Sequence, residues 1–188
     1  KEKNGQVLYK KEPDPQQDTS ALAQQYLDVH SILEYAETES LPYLKQQLLQ
    51  QCDCNWAIAQ EGLSRPYGAG VGRTLCQSGN ASDWRISCCA AAAAGSDARM
   101  NGCALPVVIN SGSGNQGITV SVPVIAYVRS QNCSEEQLFR ALAVSNLLAI
   151  HQKKYIGKLS AYCGAISAAS AAGAAIAWLQ GCSEQEVA

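Results

Sequence analysis

Apolar residues recur at helical spacing over 19–37, where Leu22, Tyr26, Val29, Leu33 and Ala36 share one face, which predicts an amphipathic helix. Ser40-Leu-Pro42 opens a second helix that runs to about Glu61; a proline is well placed in a first turn, where its missing N–H would have no partner anyway. Residues 64–72 contain Arg65-Pro-Tyr-Gly-Ala-Gly-Val-Gly72 and read as a glycine-rich loop. Residues 88–94 favour helix strongly, and Gly95 suits a C-cap. Ser134-Glu-Glu-Gln137 is a capping box that starts a helix reaching about His151. Between these, 105–109 and 118–128 have strand-like composition, but an unbroken apolar run fits buried helix equally well. Both assignments stay open.

The two ends carry other signals. Asn4-Gly5 is a hairpin-turn pair followed by a short strand at Gln6-Val-Leu-Tyr9; the partner strand is expected before Lys1. Glu12-Pro-Asp-Pro15 reads as a linker, which divides the chain into a truncated β segment with linker over 1–15 and a helical domain over 16–188. Ser183-Glu-Gln-Glu186 is another capping box, opening a helix just before Ala188. The expectation is a piece of a longer polypeptide, with segments missing at both its N- and C-terminal sides.

Residues 157–181 form the longest uniform stretch. No charge falls between Lys158 and Glu184, and Ala, Ser and Gly make up most of it. Such a run predicts a helix buried on all sides and packed closely on its neighbours, with Ser160, Cys163, Ser167 and Ser170 along one side. Its small residues carry too little transfer energy for a membrane span. The fold class is therefore mainly α: a multi-helix domain of closely packed, Ala/Gly-rich buried helices with a short β stub at the N-terminus.

Composition narrows the function. Hydrophobic residues are 47% of the 188 and aromatics only 6%, so small aliphatic side chains must fill the core. A net charge of −2 without a basic stripe excludes nucleic acid and anionic membrane surfaces as partners. The nine cysteines are odd in number, include the adjacent pair Cys88-Cys89 and form no C-x-x-C, which favours reduced thiols and a cytoplasmic location over a disulfide framework.

The stretch 110–117, Asn-Ser-Gly-Ser-Gly-Asn-Gln-Gly, sets three glycines among hydroxyl and amide groups. Glycines let backbone N–H groups turn toward a bound anion, so the loop suits a carboxylate or phosphate, although it lacks the Lys-Ser/Thr ending of a Walker loop. Asp97 and Arg99, in Ser96-Asp-Ala-Arg-Met100, bring an acid and a guanidinium near it in sequence.

Taken in order, Ser96-Asp-Ala-Arg-Met100, Leu105-Pro, Gly112-Ser-Gly-Asn-Gln-Gly117, Arg140-Ala-Leu-Ala and Lys158-Leu-Ser-Ala-Tyr-Cys-Gly164 resemble the L-cysteine desulfidases. These are single-chain relatives of the iron–sulfur L-serine dehydratase alpha chain. The resemblance covers roughly 62–182. It implies a lyase free of pyridoxal phosphate that uses a 4Fe–4S cluster to turn L-cysteine or L-serine into pyruvate and ammonia, with release of hydrogen sulfide or water. It also implies that Cys163 is the first cluster cysteine, the others lying in a segment downstream of Ala188. Cys182 has the wrong context to replace one, and the other seven thiols are packing or incidental. Ser111, Gly112, Ser113, Gly114, Asn115, Gln116 and Gly117, with Asp97 and Arg99, are the candidate substrate-binding residues. Lys158 and His151 are the candidate bases for α-proton removal. With one cluster thiol, residues 1–188 alone should fold without a cluster, be inactive, and self-associate through the face the missing segments cover. The alternative is a non-catalytic amino-acid or carboxylate-binding module of the same fold.

Overall fold

A computed structural model describes residues 2–3, 6–7, 27–78, 83–156 and 161–188. Helices dominate, as expected. They are α1 (Val29–Thr38), α2 (Leu41–Ser64), α3 (Val71–Ser78), α4 (Trp84–Met100), α5 (Gly114–Ser130), α6 (Glu135–Ile156), α7 (Gly164–Leu179) and α8 (Glu184–Val187). At the N-terminus, β1 (Glu2–Lys3) pairs antiparallel with β2 (Gln6–Val7). The partner strand thus lies inside the chain and not before Lys1, as a two-residue Asn-Gly connection requires.

The centre of the domain is α5, which packs against α2, α4, α6 and α7. Ile118, Val120, Val122, Val124 and Ile125 are all fully buried. This settles the open assignment at 118–128: a helix enclosed on every side needs no polar face, so its sequence loses the 3.6-residue period and looks like a buried strand. Each such side chain contributes roughly 1.5–3 kcal/mol on burial. Pro123 sits inside this helix, where its missing N–H leaves the Thr119 carbonyl without an intrahelical donor. The 104–109 segment is irregular and not a strand.

Other boundaries shift for identifiable reasons. Asp28 caps α1 by accepting from the Ser31 N–H at 2.8 Å, so the first helix starts at Val29; its expected portion over 19–26 lies outside the described residues. Gly95 is not a C-cap. It lies within α4, and a Cβ there would stand 3.3 Å from the Ala59 Cα and 3.2 Å from Ile118 Cγ2, so its role is close helix packing. The glycine-rich loop ends at Gly70, and α3 follows unannounced. At Gly62 and Gly72 an added Cβ would fall 2.0 Å from the Ala94 carbonyl oxygen and 2.3 Å from that of Ala90, so α2 and α3 both meet α4 backbone to backbone. Buried alanines continue the pattern on α4 and α7. However, α7 is not buried on all sides: Ile166 is 72% exposed, and Ser170 and Gly173 face out beside it. Among the described residues no helix is long and apolar enough to cross a membrane.

Candidate site at two converging helix N-termini

The glycine-rich stretch divides into a turn and a helix start. Asn110 and Ser113 exchange backbone hydrogen bonds of 3.2 and 3.0 Å across Ser111 (φ 50°) and Gly112 (φ 84°). Two consecutive left-handed residues make the tight turn that aims the chain into α5; Gly112 adopts it freely, whereas Ser111 costs on the order of 1 kcal/mol. Ser113 is the N-cap, and its hydroxyl accepts from the Gln116 N–H at 3.4 Å. Gly114, Asn115, Gln116 and Gly117 form the first turn of α5, whose leading N–H groups have no intrahelical acceptor.

A buried amide network fixes this turn. Asn55 on α2 is fully buried. Its Nδ2 donates to the carbonyls of Val108 and Gly117 and to the Ser121 hydroxyl at 3.0–3.1 Å, and its Oδ1 accepts from the Val108 N–H at 2.8 Å. Asn110 donates to Asn146 Oδ1 at 2.9 Å, and Asn146 forms a reciprocal amide pair with Gln51 at 2.7 and 2.9 Å. The sequence does not point to Gln51, Asn55 or Asn146, whereas Asn110 opens the glycine-rich stretch.

Asp97 and Arg99 do not act together. Two positions apart on α4, they point to nearly opposite sides. Arg99 reaches the site: its Nη1 donates to Asn115 Oδ1 at 3.1 Å, and its guanidinium crosses Gly114 so closely that a Cβ there would lie 2.2 Å from Nε. Asp97 instead accepts from the Val71 N–H at 3.0 Å, holding the start of α3. Arg140, from the Arg-Ala-Leu-Ala motif, donates to the carbonyls of Glu37 and Glu39 at 2.9 and 3.1 Å and secures the end of α1.

The second helix start is that of α7. Cys163 occupies the N-cap position, outside the helix proper, and its thiol is exposed. The Ile166 and Ala165 N–H groups facing its sulfur hold its pKa below the ordinary thiol value. This start abuts the first one: a Cβ on Gly164 would fall 1.4 Å from Gln116 Nε2. The structure therefore brings Cys163 and the 112–117 segment together, although 46 positions separate Gly117 from Cys163 in the sequence. Beside Cys163 opens a cavity of about 320 Å³ walled by Tyr155, Ile156, Tyr162, Ile166 and Ser167, with Gln152. Gln152 receives the Ser167 hydroxyl and donates to Ser170 at 3.0 Å; Ser160, expected on the same side, lies outside the described residues.

His151 stands one residue back from this cavity. Its Nδ1 pairs with the Leu27 carbonyl at 2.6 Å, which Lys154 also contacts, and its ring packs edge-on against Tyr155 at 5.5 Å. It is engaged in holding the α1 entry. Lys158 lies outside the described residues.

Cys163 offers a thiol of lowered pKa, open to an adjoining cavity, which suits a cluster ligand. One thiol is not a cluster site, however. Among the described residues no group of three or more His, Cys, Asp or Glu could hold a metal ion. Cys182 lies past the far end of α7, roughly 24 Å along a helix of that length. Cys88 donates to the Pro123 carbonyl at 3.2 Å, and burial pushes its pKa up to about 12, the profile of a packing thiol.

Comparison with known proteins places the chain in a family. Residues 13–188 match the serine dehydratase alpha chain family, and the chain belongs to that family. It is 48% identical over 186 residues to a UPF0597 protein of Lachnoclostridium phytofermentans, covering 99% of this chain and 44% of that one. With a UPF0597 protein of Desulfitobacterium hafniense it shares 47% identity over 188 residues, covering 100% and 43%. A UPF0597 protein of Treponema denticola is 41% identical over 190 residues, with 98% and 44% covered. This chain thus spans less than half the length of these relatives, whose names state no activity. No solved structure matches.

Proposed function

We propose that the longer protein is a lyase that converts L-cysteine to pyruvate, hydrogen sulfide and ammonia, or L-serine to pyruvate and ammonia, and that it uses a 4Fe–4S cluster and no pyridoxal phosphate. The observation that carries this reading is the meeting of Cys163 with the first turn of α5 in a chain of the serine dehydratase alpha family.

The residues divide the work. Free N–H groups at Gly114 and Asn115, at the positive end of α5, receive the substrate carboxylate. The Arg99 guanidinium supports the same choice of ligand. A cation beside a helix N-terminus is unfavourable by itself, and a bound carboxylate between the two reverses that sign. Cys163 serves as one thiolate ligand, with the other ligands supplied from outside residues 1–188. When bound, the cluster supplies a Lewis-acidic iron for the leaving thiol or hydroxyl. A base takes the α-proton as the Cβ–S or Cβ–O bond breaks, giving 2-aminoacrylate. Its imine tautomer then reacts with water to form pyruvate and ammonia. We assign the base to Lys158, since His151 is committed to Leu27. Reduced thiols and an oxygen-sensitive cluster suit the cytoplasm.

Anaerobic reconstitution of the full-length polypeptide, followed by pyruvate and sulfide assays with both amino acids, tests this. Pyruvate formation that depends on iron and on Cys163 is expected. A protein that holds a cluster yet makes no pyruvate from either amino acid would overturn it; a protein that binds a small amino acid but holds no cluster would be a carboxylate-binding module. Residues 1–188 alone should contain neither iron nor labile sulfide in stoichiometric amount.

A further inference from the structure

A second cavity, of about 410 Å³, plays no part in the site described above. It lies between α4 and α7, which both pack on α5 but barely on each other. Its floor is Thr119 and Pro123. Along α5 the enclosure is thinnest here: of residues 114–128 only Asn115, Thr119 and Pro123 are half-buried, the rest being buried. Their spacing of four places them on one line. The walls are small, with Ala92, Ala93 and Ser96 from α4 and Ala169 and Gly173 from α7. Between Trp84 and Ser96, both in its lining, the groove runs roughly 18 Å, or about three turns of helix. Cys89, Ala169 and Gly173 are exposed, so it opens to solvent along that length.

Gly173 says what the groove admits. The other described glycines either have positive φ or would bring a Cβ to within 3.2 Å of a neighbour. Gly173 does neither: it sits inside α7, and a Cβ there would meet nothing within 4 Å. A glycine within a helix weakens it relative to alanine, and nothing among the described residues uses the space it leaves. At Gly62 and Gly72 the same absence of a side chain lets one helix rest on the main chain of another.

We propose that this groove seats an apolar-faced helix of the same polypeptide, from the part outside residues 1–188. Gly173 and the alanines let it approach α5 closely, and one end of it lies next to the turn that carries Asn115. The relatives leave ample chain for such a helix, since the matched region is 44 and 43% of their length. A tethered segment also reaches the groove at high effective concentration. A second copy fits less well. Each described helix longer than one turn is already packed into this core, so a copy has none to insert without opening its own.

The test is photo-crosslinking in the full-length polypeptide, with p-benzoylphenylalanine in place of Cys89 at the exposed rim. Mixing chains labelled with light and heavy nitrogen separates contacts within a chain from contacts between copies. Mass spectrometry should find the crosslink within one chain, to a helix outside residues 1–188. Gly173→Leu should weaken that crosslink and lower the melting temperature by about 2 °C or more, the shift expected of overpacking. On an open helix face the same substitution would be neutral or stabilising, because leucine is the better helix former. A crosslink to a second copy, a crosslink within 1–188, no crosslink at all, or Gly173→Leu as stable as wild type would each overturn the proposal. Should the Cys89 variant fail to fold, the same probe at Arg85, also exposed on the lining, decides by the same criteria. No readout involves iron or turnover, so the result stands apart from the lyase reading.

Discussion

The N-termini of α5 and α7 face each other, yet they are built on opposite plans. The start of α5 is buried, capped by the Ser113 side chain and anchored through Asn55 and Asn110 to two other helices. The start of α7 has an exposed cysteine in the cap position and no capping hydrogen bond from its side chain. One end is finished by the protein. The other presents its thiol to solvent. The difference teaches where rigidity lies: the start of α5 is preorganised by its buried network, while the start of α7 stays open.

The contrast breaks most severely at Asn55. Asn55→Ala leaves the Val108 N–H and carbonyl unpaired in the interior, and a loss of about 3–5 kcal/mol is expected from two such groups and the cavity; urea denaturation measures it. A loss below about 1 kcal/mol would show that the network does not hold the turn. Gly117→Ala should cost about 1–3 kcal/mol by overpacking, because its Cβ would stand 2.0 Å from the Val108 carbonyl oxygen and 2.9 Å from the Ile109 Cα. At the cap, Ser113→Ala should cost only about 0.5–1 kcal/mol, given a long 3.4 Å bond, and thermal melting would resolve it.

The smallest effect on stability belongs to α7. Cys163→Ser should change the unfolding free energy by less than about 0.5 kcal/mol, while reactivity there should be the highest. Because its thiol pKa is lowered, iodoacetamide should label Cys163 at a pH below the ordinary thiol range, and leave Cys88, whose pKa is raised to about 12, untouched until unfolding. Mass spectrometry of the labelled native protein reads both; prior labelling of Cys88 would refute the assignment. The signs for stability are opposite. The depressed Cys163 pKa stabilises the fold above the unfolded thiol pKa, a contribution lost as pH falls through the folded value. The raised Cys88 pKa stabilises below the unfolded value and is lost as pH climbs toward about 12.

Sequence legibility followed the same divide. The helices α1, α2 and α6 are readable because helical spacing, a first-turn proline and a capping box respectively mark them. The enclosed α5 was ambiguous because burial on every side erases the period. Gly95 misled because a glycine that admits a neighbouring helix is written like one that ends its own. The glycine stretch and Cys163 were each legible as site residues, but their contact was not, since it arises from two helices packing side by side. Asp97 and Arg99 are two positions apart in sequence and divergent on a helix. Asn55 drew no attention because a lone amide on a long helix carries no local sign of what it will bind.

The bare contacts at Gly62 and Gly72 have a consequence for tolerance in the machinist's sense. Where side chains separate two helices, each rotamer adds its own play to the position of everything mounted beyond. With α4 resting directly on the main chains of α2 and α3, those intermediate errors vanish. The far end of α4, which carries Arg99, is then located by main-chain contact and the stiffness of one helix, with fewer rotamers in between.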